Sequence, residues 1–154
     1  MLYAQFQQQI QNEKASTQQL LFPEIITLDS EQIILFEQLL DELRIIGFEV
    51  EQFTPNSYSI HGVPSQVVNQ SPVQVLQDIM TAVRERSADT QSEWRNTIIT
   101  SLAEKAAIPS GKTLTIDEMR DLVKRLFQLD QTLRTPNGSK ILHLLTDEDI
   151  HKLF

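Results

Sequence analysis

Four groupings of side chains in this sequence could do chemistry, and each kind of chemistry sets its own spacing. Ser110-Gly111-Lys112-Thr113 has the ending of a phosphate-cradling loop, where backbone amides and a lysine meet phosphate oxygens. That loop needs a glycine five residues before Gly111, but position 106 is Ala106, and the segment falls between two helical patterns rather than after a strand. It reads as an ordinary interhelical turn. His61, His143 and His151 are scattered, with no partner at zinc-ligand spacing and no cysteine to complete a ligand set. The carboxylates of Glu93, Asp117, Glu118, Asp147 and Asp149 fall in first turns of helices, where the helix dipole accounts for them. No Ser-His-Asp or Cys-His arrangement suggests a nucleophile. From the residues alone, no catalytic, cofactor or metal site is expected.

The fourth grouping is Gln18-Gln19-Leu20-Leu21-Phe22-Pro23, which leads into the apolar run Glu24 to Leu28. As plain structure it is the entry to a strand, with Pro23 where a strand can lack an N–H. As chemistry, Gln-x-x-Leu-x-Pro is the kind of short linear pattern that plugs into a pocket on another protein. The glutamine amide hydrogen-bonds at a rim, the apolar side chains fill the pocket, and proline limits the entropy lost on docking.

Composition narrows the classes. The chain has 154 residues, enough for one domain or two small lobes, with 40% hydrophobic and 22% charged residues. No run approaches a membrane span. No basic segment followed by an apolar stretch opens the chain, so no signal peptide is expected, and the cytoplasm is the default location. The net charge is −8 and the pI about 4.8. Nucleic-acid affinity comes mainly from Lys and Arg neutralising phosphates, so direct DNA binding is expected to be weak or absent. Arg120, Lys124, Arg125 and Lys112 are interleaved with Asp117, Glu118 and Asp121, which reads as a solvated helix face.

The elements that carry these residues follow from periodicity and caps. Leu2, Tyr3, Phe6 and Ile10 predict a helix beginning almost at Met1. After the Gln18–Leu28 strand, Asp29 and Gln32 form a capping box for a helix with Ile33, Phe36, Leu39, Leu40, Leu43 and Ile46 inward, stopped at Gly47. Phe48–Glu51 and Tyr58–His61 predict a hairpin around Thr54-Pro55-Asn56-Ser57. Ser71, Pro72 and Gln74 start a third helix that buries Val75, Leu76, Ile79, Met80 and Val83. Together these make a βαββα lobe.

Thr90-x-x-Glu93 opens a helix with Trp94, Ile98, Ile99 and Leu102 inward, and Thr115-x-x-Glu118 opens one with Met119, Leu122, Val123 and Leu126 inward. Thr135-Pro136-Asn137-Gly138 predicts a turn, Ile141 to Leu145 a short buried strand, and Thr146-Asp147-Glu148-Asp149 a last capped turn. A lone strand there has to pair with the first lobe, with another subunit, or with strands outside this sequence, the last two being preferred. The fold class expected is α+β, in two lobes.

This order and several local runs resemble the C-terminal dimerisation domain of MutL, the DNA mismatch repair family, over essentially the whole chain. The runs are Leu2-Tyr3-x-x-Phe6; Gly47-Phe48-x-Val50-x-x-Phe53 with Asn56-Ser57-Tyr58-x-Ile60; and Ala106-Ala107-Ile108 through Gly111-x-x-Leu114-x-x-x-Glu118-Met119 to Thr135-Pro136-Asn137-Gly138 and Lys152-Leu153-Phe154. The resemblance implies a regulatory lobe, 18–87, inserted in a dimerisation lobe, 1–17 and 88–154, with that lobe's first strands and the family's Asp-Gln-His-Ala-x-x-Glu-Arg segment upstream of Met1. It implies a homodimer that holds ATPase arms together, with ATP bound only in a separate N-terminal half, and contacts to other mismatch repair proteins.

Many members of the family are metal-dependent nicking endonucleases. Where those have a Glu after the aromatic, this chain has Ala4 after Tyr3. A Cys-Lys pair is replaced by Glu104-Lys105, and a Cys-Pro-His-Gly turn by Thr135-Pro136-Asn137-Gly138. Thr and an Asn amide are poor ligands in place of thiolate and imidazole. The resemblance is therefore to the non-nuclease, scaffolding branch, the alternative being an endonuclease completed by upstream residues with Glu104 as a substitute ligand. The family also carries a sliding-clamp-binding motif at the start of the inserted lobe, and Gln18, Leu21, Phe22 and Pro23 fall at its position.

Overall fold

The structure is a computed structural model that describes residues 1–11, 15–86, 90–129, 134–135, 138–142, 145 and 147–152. Its elements run α1 (Leu2–Gln11), β1 (Thr17–Thr27), α2 (Ser30–Ile46), β2 (Glu49–Thr54), β3 (Ser57–Pro64), a 3-10 turn (Ser65–Val67), α3 (Pro72–Glu85), α4 (Gln91–Ala106), α5 (Ile116–Phe127) and α6 (Asp147–His151). The class is α+β, as expected, and the expected βαββα order is present as β1-α2-β2-β3-α3.

Local chemistry places the helix boundaries. Asp29 accepts the Gln32 N–H at 2.8 Å while the Gln32 side chain accepts the Asp29 N–H at 3.0 Å. The same reciprocal box closes at Thr90 with Glu93 and at Thr115 with Glu118. Helix α2 ends at Gly47, whose φ of 110° is left-handed and suits a residue without a side chain. At Ser71 only half of the expected box forms. The Ser71 hydroxyl accepts from Gln74 N, but the Gln74 side chain turns forward to Asp78 Oδ1 at 2.9 Å, because an acceptor one turn on competes for it.

The sheet is antiparallel in the order β1-β3-β2, so β1 and β2 are both edges. Strand β3 supplies buried Tyr58 and Ile60 to the same core as Phe36 and Leu39 of α2; the Phe36 and Tyr58 rings lie 4.8 Å apart, tilted by 56°. Gly62 of β3 lies close under Thr17 of β1, and a methyl group there would come within 2.8 Å of the Thr17 methyl.

One compact unit runs from Leu2 to Pro109. Its core is continuous through Phe6 of α1, the α2 stripe, Val75, Leu76, Ile79, Met80 and Val83 of α3, and Ile98, Ile99 and Leu102 of α4. Phe6 of α1 and the buried residues of α4 thus belong to the same core cluster as the βαββα elements. Helix α4 packs on α1, α2 and α3, and its residues Thr97 to Leu102 are all buried. Six consecutive residues turn through more than a full circle of a helix, so α4 is enclosed on every side at its middle.

The second unit comprises Met1 and residues 110–154. One expectation changes here. Of the run expected as a strand at Ile141–Leu145, Ile141 and Leu142 are half-buried, Leu145 is 55% exposed, and residues 143 and 144 lie outside the described residues; among the described residues nearby, Arg134 and Lys140 form an isolated bridge. The α5 stripe expected to point inward is only partly covered: α5 has no fully buried residue, Leu122 and Leu126 are half-buried, and Met119 and Val123 are 46% and 54% exposed. His143, the Thr146 cap, Pro136, Asn137, Leu153 and Phe154 lie outside the described residues.

Candidate functional site

The Gln18–Pro23 segment does not precede the strand; it forms an arch within it. The ladder pairs Thr17 with Pro64, Gln18 with Val63 and Gln19 with Gly62, then resumes at Glu24 with Ile60. Residues 20–23 therefore face only His61 in the register, and the surplus chain bows out of the sheet. The expectation of a polar lead ahead of a core strand is corrected in this respect.

Both feet of the arch are fixed. On one side the Thr17 hydroxyl donates to the Gly47 carbonyl at 3.0 Å, and Gln19 Nε2 donates to Glu49 Oε2 at 2.6 Å across the sheet. On the other, Ile26 is fully buried and the Leu28 N–H reaches the Asn56 carbonyl at 2.9 Å. Leu20 packs partly against the core. The crown is left outside, with Leu21 94% and Phe22 83% exposed, and Gln18 and Pro23 also exposed. All four residues singled out from the sequence thus lie on one solvent-facing stretch. Burying a Leu or a Phe side chain is worth roughly 1.5–3 kcal/mol, so a crown with two of them presented together is a costly surface to leave wet.

Beside the arch, Ser59 Oγ lies 3.0 Å and Glu51 Oε2 3.7 Å from the same nitrogen of His61, Nε2. A hydrolytic relay needs the acid and the nucleophile on opposite ring nitrogens, so this trio orients the imidazole and cannot relay a proton. The other candidates stay apart. Gly111, at φ 84°, makes an exposed turn between α4 and α5; Glu104 is exposed near the end of α4; and His151 is exposed on α6. Among the described residues no three His, Asp or Glu side chains converge as metal ligands.

Sequence reasoning missed the bolt between α2 and α4. Arg95 donates twice to the Glu42 carboxylate, Nε to Oε2 at 2.6 Å and Nη2 to Oε1 at 3.0 Å, and Glu42 is only 3% exposed. Hydrogen bonding to that carboxylate holds the Arg95 guanidinium above its ordinary pKa. The signal was a charge at a position in step with Leu39, Leu43 and Ile46. A carboxylate in an apolar stripe requires a cation from elsewhere.

A family model described as the MutL C terminal dimerisation domain matches residues 1–114. The chain is similar to the DNA mismatch repair protein MutL of Parabacteroides distasonis, at 32% identity over all of its 154 residues and 25% of that protein, and equally to that of Bacteroides fragilis. The MutL protein of Chlorobaculum tepidum is 34% identical over 146 residues, 94% of this chain and 23% of that protein. The chain spans about a quarter of the length of these relatives.

Proposed function

The chain belongs to the MutL C-terminal dimerisation domain family, and from that premise we propose that it works without chemistry of its own, as the segment that joins two copies of a mismatch repair protein and docks the pair to the replication sliding clamp. In this reading the inserted lobe, 18–87, carries the docking arch, while 1–17 and 88–154 serve dimerisation and contacts with other mismatch repair proteins. ATP hydrolysis belongs to a separate half of the protein.

The observation that supports clamp docking is the crown of the arch. Leu21 and Phe22 are exposed side by side on a backbone held at both feet, with Gln18 and Pro23 flanking them. An extended segment fixed before it binds loses little entropy on docking, and its two apolar side chains are the kind of anchor that fills a pocket. Coulomb repulsion opposes contact with DNA, since the chain carries a net −8.

The double substitution Gln18→Ala with Leu21→Ala is expected to lower capture by the clamp more than tenfold while leaving the circular dichroism spectrum unchanged. Undiminished capture by the folded variant sinks the docking proposal.

A further inference from the structure

We infer that α5 is a self-pairing helix: two copies of this chain dock antiparallel along Ile116, Met119, Val123 and Phe127. The inference rests on the dimer proposed above and specifies the surface that makes it.

The four side chains are spaced at three, four and four residues, which aligns them along one face of the helix. They are 63%, 46%, 54% and 66% exposed. Ile116, Met119 and Val123, with the stems of Arg120 and Lys124, line a shallow groove of about 390 Å³. The groove can receive apolar side chains from a second helix, and the two basic stems can cover the rim of the seam while their charges stay in water.

Charge selects the occupant. The first turn of α5 carries Asp117 and Glu118 and the last carries Lys124 and Arg125. A uniformly basic or uniformly acidic partner would be repelled at one end. An antiparallel copy of α5 sets the acidic end of each helix against the basic end of the other, adds opposed helix dipoles, and brings Ile116 of one copy to Phe127 of the other. A parallel copy would stack like charge on like.

The chain contains no cysteine, so introduced thiols report directly. Ile116 and Phe127 are 11 residues apart, about 16 Å along a helix, whereas a disulfide needs Cα atoms within about 4.4–6.8 Å. Under mild oxidation a mixture of Ile116→Cys and Phe127→Cys chains is expected to cross-link at least tenfold more than either variant alone. Val123→Asp, at an exposed position, is expected to turn the dimer seen by light scattering into a monomer with an unchanged dichroism spectrum. Efficient cross-linking of either single variant alone would overturn the antiparallel pairing. A dimer by light scattering with no cross-link overturns α5 as the seam and leaves the dimer reading standing, whereas a monomer at every concentration overturns both.

Discussion

Helices α4 and α5 begin alike and end up in opposite surroundings. Each opens with a threonine and a glutamate three residues later in a closed capping box, yet α4 is enclosed on all sides at Thr97–Leu102 and α5 has no buried residue. A cap is decided within four residues of chain, whereas burial is decided by what packs against the helix. The apolar pattern is the poorer guide of the two. Helix α5 has the cleaner division into apolar and charged faces, while the middle of α4 mixes Thr97, Thr100 and Ser101 with Ile98, Ile99 and Leu102. Those small hydroxyls let α4 be surrounded: Thr100 satisfies itself by donating to the Asn96 carbonyl at 2.7 Å, which adds little bulk.

The largest test of this contrast is a pair of truncations. Leu102→Ala, at a fully buried position, is expected to cost about 2–5 kcal/mol in chemical denaturation. Val123→Ala, measured at a dilution where copies do not associate, is expected to stay within about 0.5 kcal/mol. Equal losses would show that α5 is covered in the lone chain, and the contrast would fail.

The bolt between α2 and α4 sharpens the same comparison. Arg95→Met strands the buried Glu42 carboxylate and is expected to cost about 3–5 kcal/mol, toward the lower end because one side of the pair reaches water. Glu42→Gln should cost less, since Arg95 is 39% exposed and can solvate itself. The order of the two thermal midpoints checks this. The pair on α5, Asp121 with Arg125, lies at the surface, and its removal is expected to cost well under 1 kcal/mol.

Acid should produce the smallest change, and on α5 first. The Thr115 N–H, with its hydroxyl, holds the Glu118 carboxyl below the ordinary value. A group with a depressed folded pKa stabilises above its unfolded value, near 4.3, and loses that contribution as pH falls through the folded pKa. Helical dichroism is therefore expected to hold steady above about pH 5 and to decline modestly below about pH 4. Glu118→Gln, which has no carboxyl to titrate, should remove that step. Asp78, held low by Lys105 against α4, follows the same sign, and its loss should appear as a fall in the thermal midpoint rather than in helix content.

What was legible in the sequence was local. The boxes at Asp29, Thr90 and Thr115, the Gly47 stop and the hairpin turn depend on residues within a few positions of one another. The α2 and α3 stripes were also readable, because α helices that flank a sheet bury a single face. The arch was half legible: Gln18, Leu21, Phe22 and Pro23 were picked out together, but a bulge requires knowing that Gln19 pairs with Gly62 and Glu24 with Ile60, a long-range register. The Glu42–Arg95 pair spans 53 positions and the enclosure of α4 involves three helices, so neither is visible in any window.

The arch has one more effect, which concerns where the sheet stops. Strand β1 is an edge, and a flat edge offers its unpaired amides and carbonyls as a template on which identical chains can stack into fibrils. Residues 20–23 bend that template out of line, and Pro23 removes a donor from it. The same four residues that present two large apolar side chains to solvent thus deny any incoming strand a continuous row of hydrogen bonds. The molecule can expose an adhesive crown without exposing an adhesive edge.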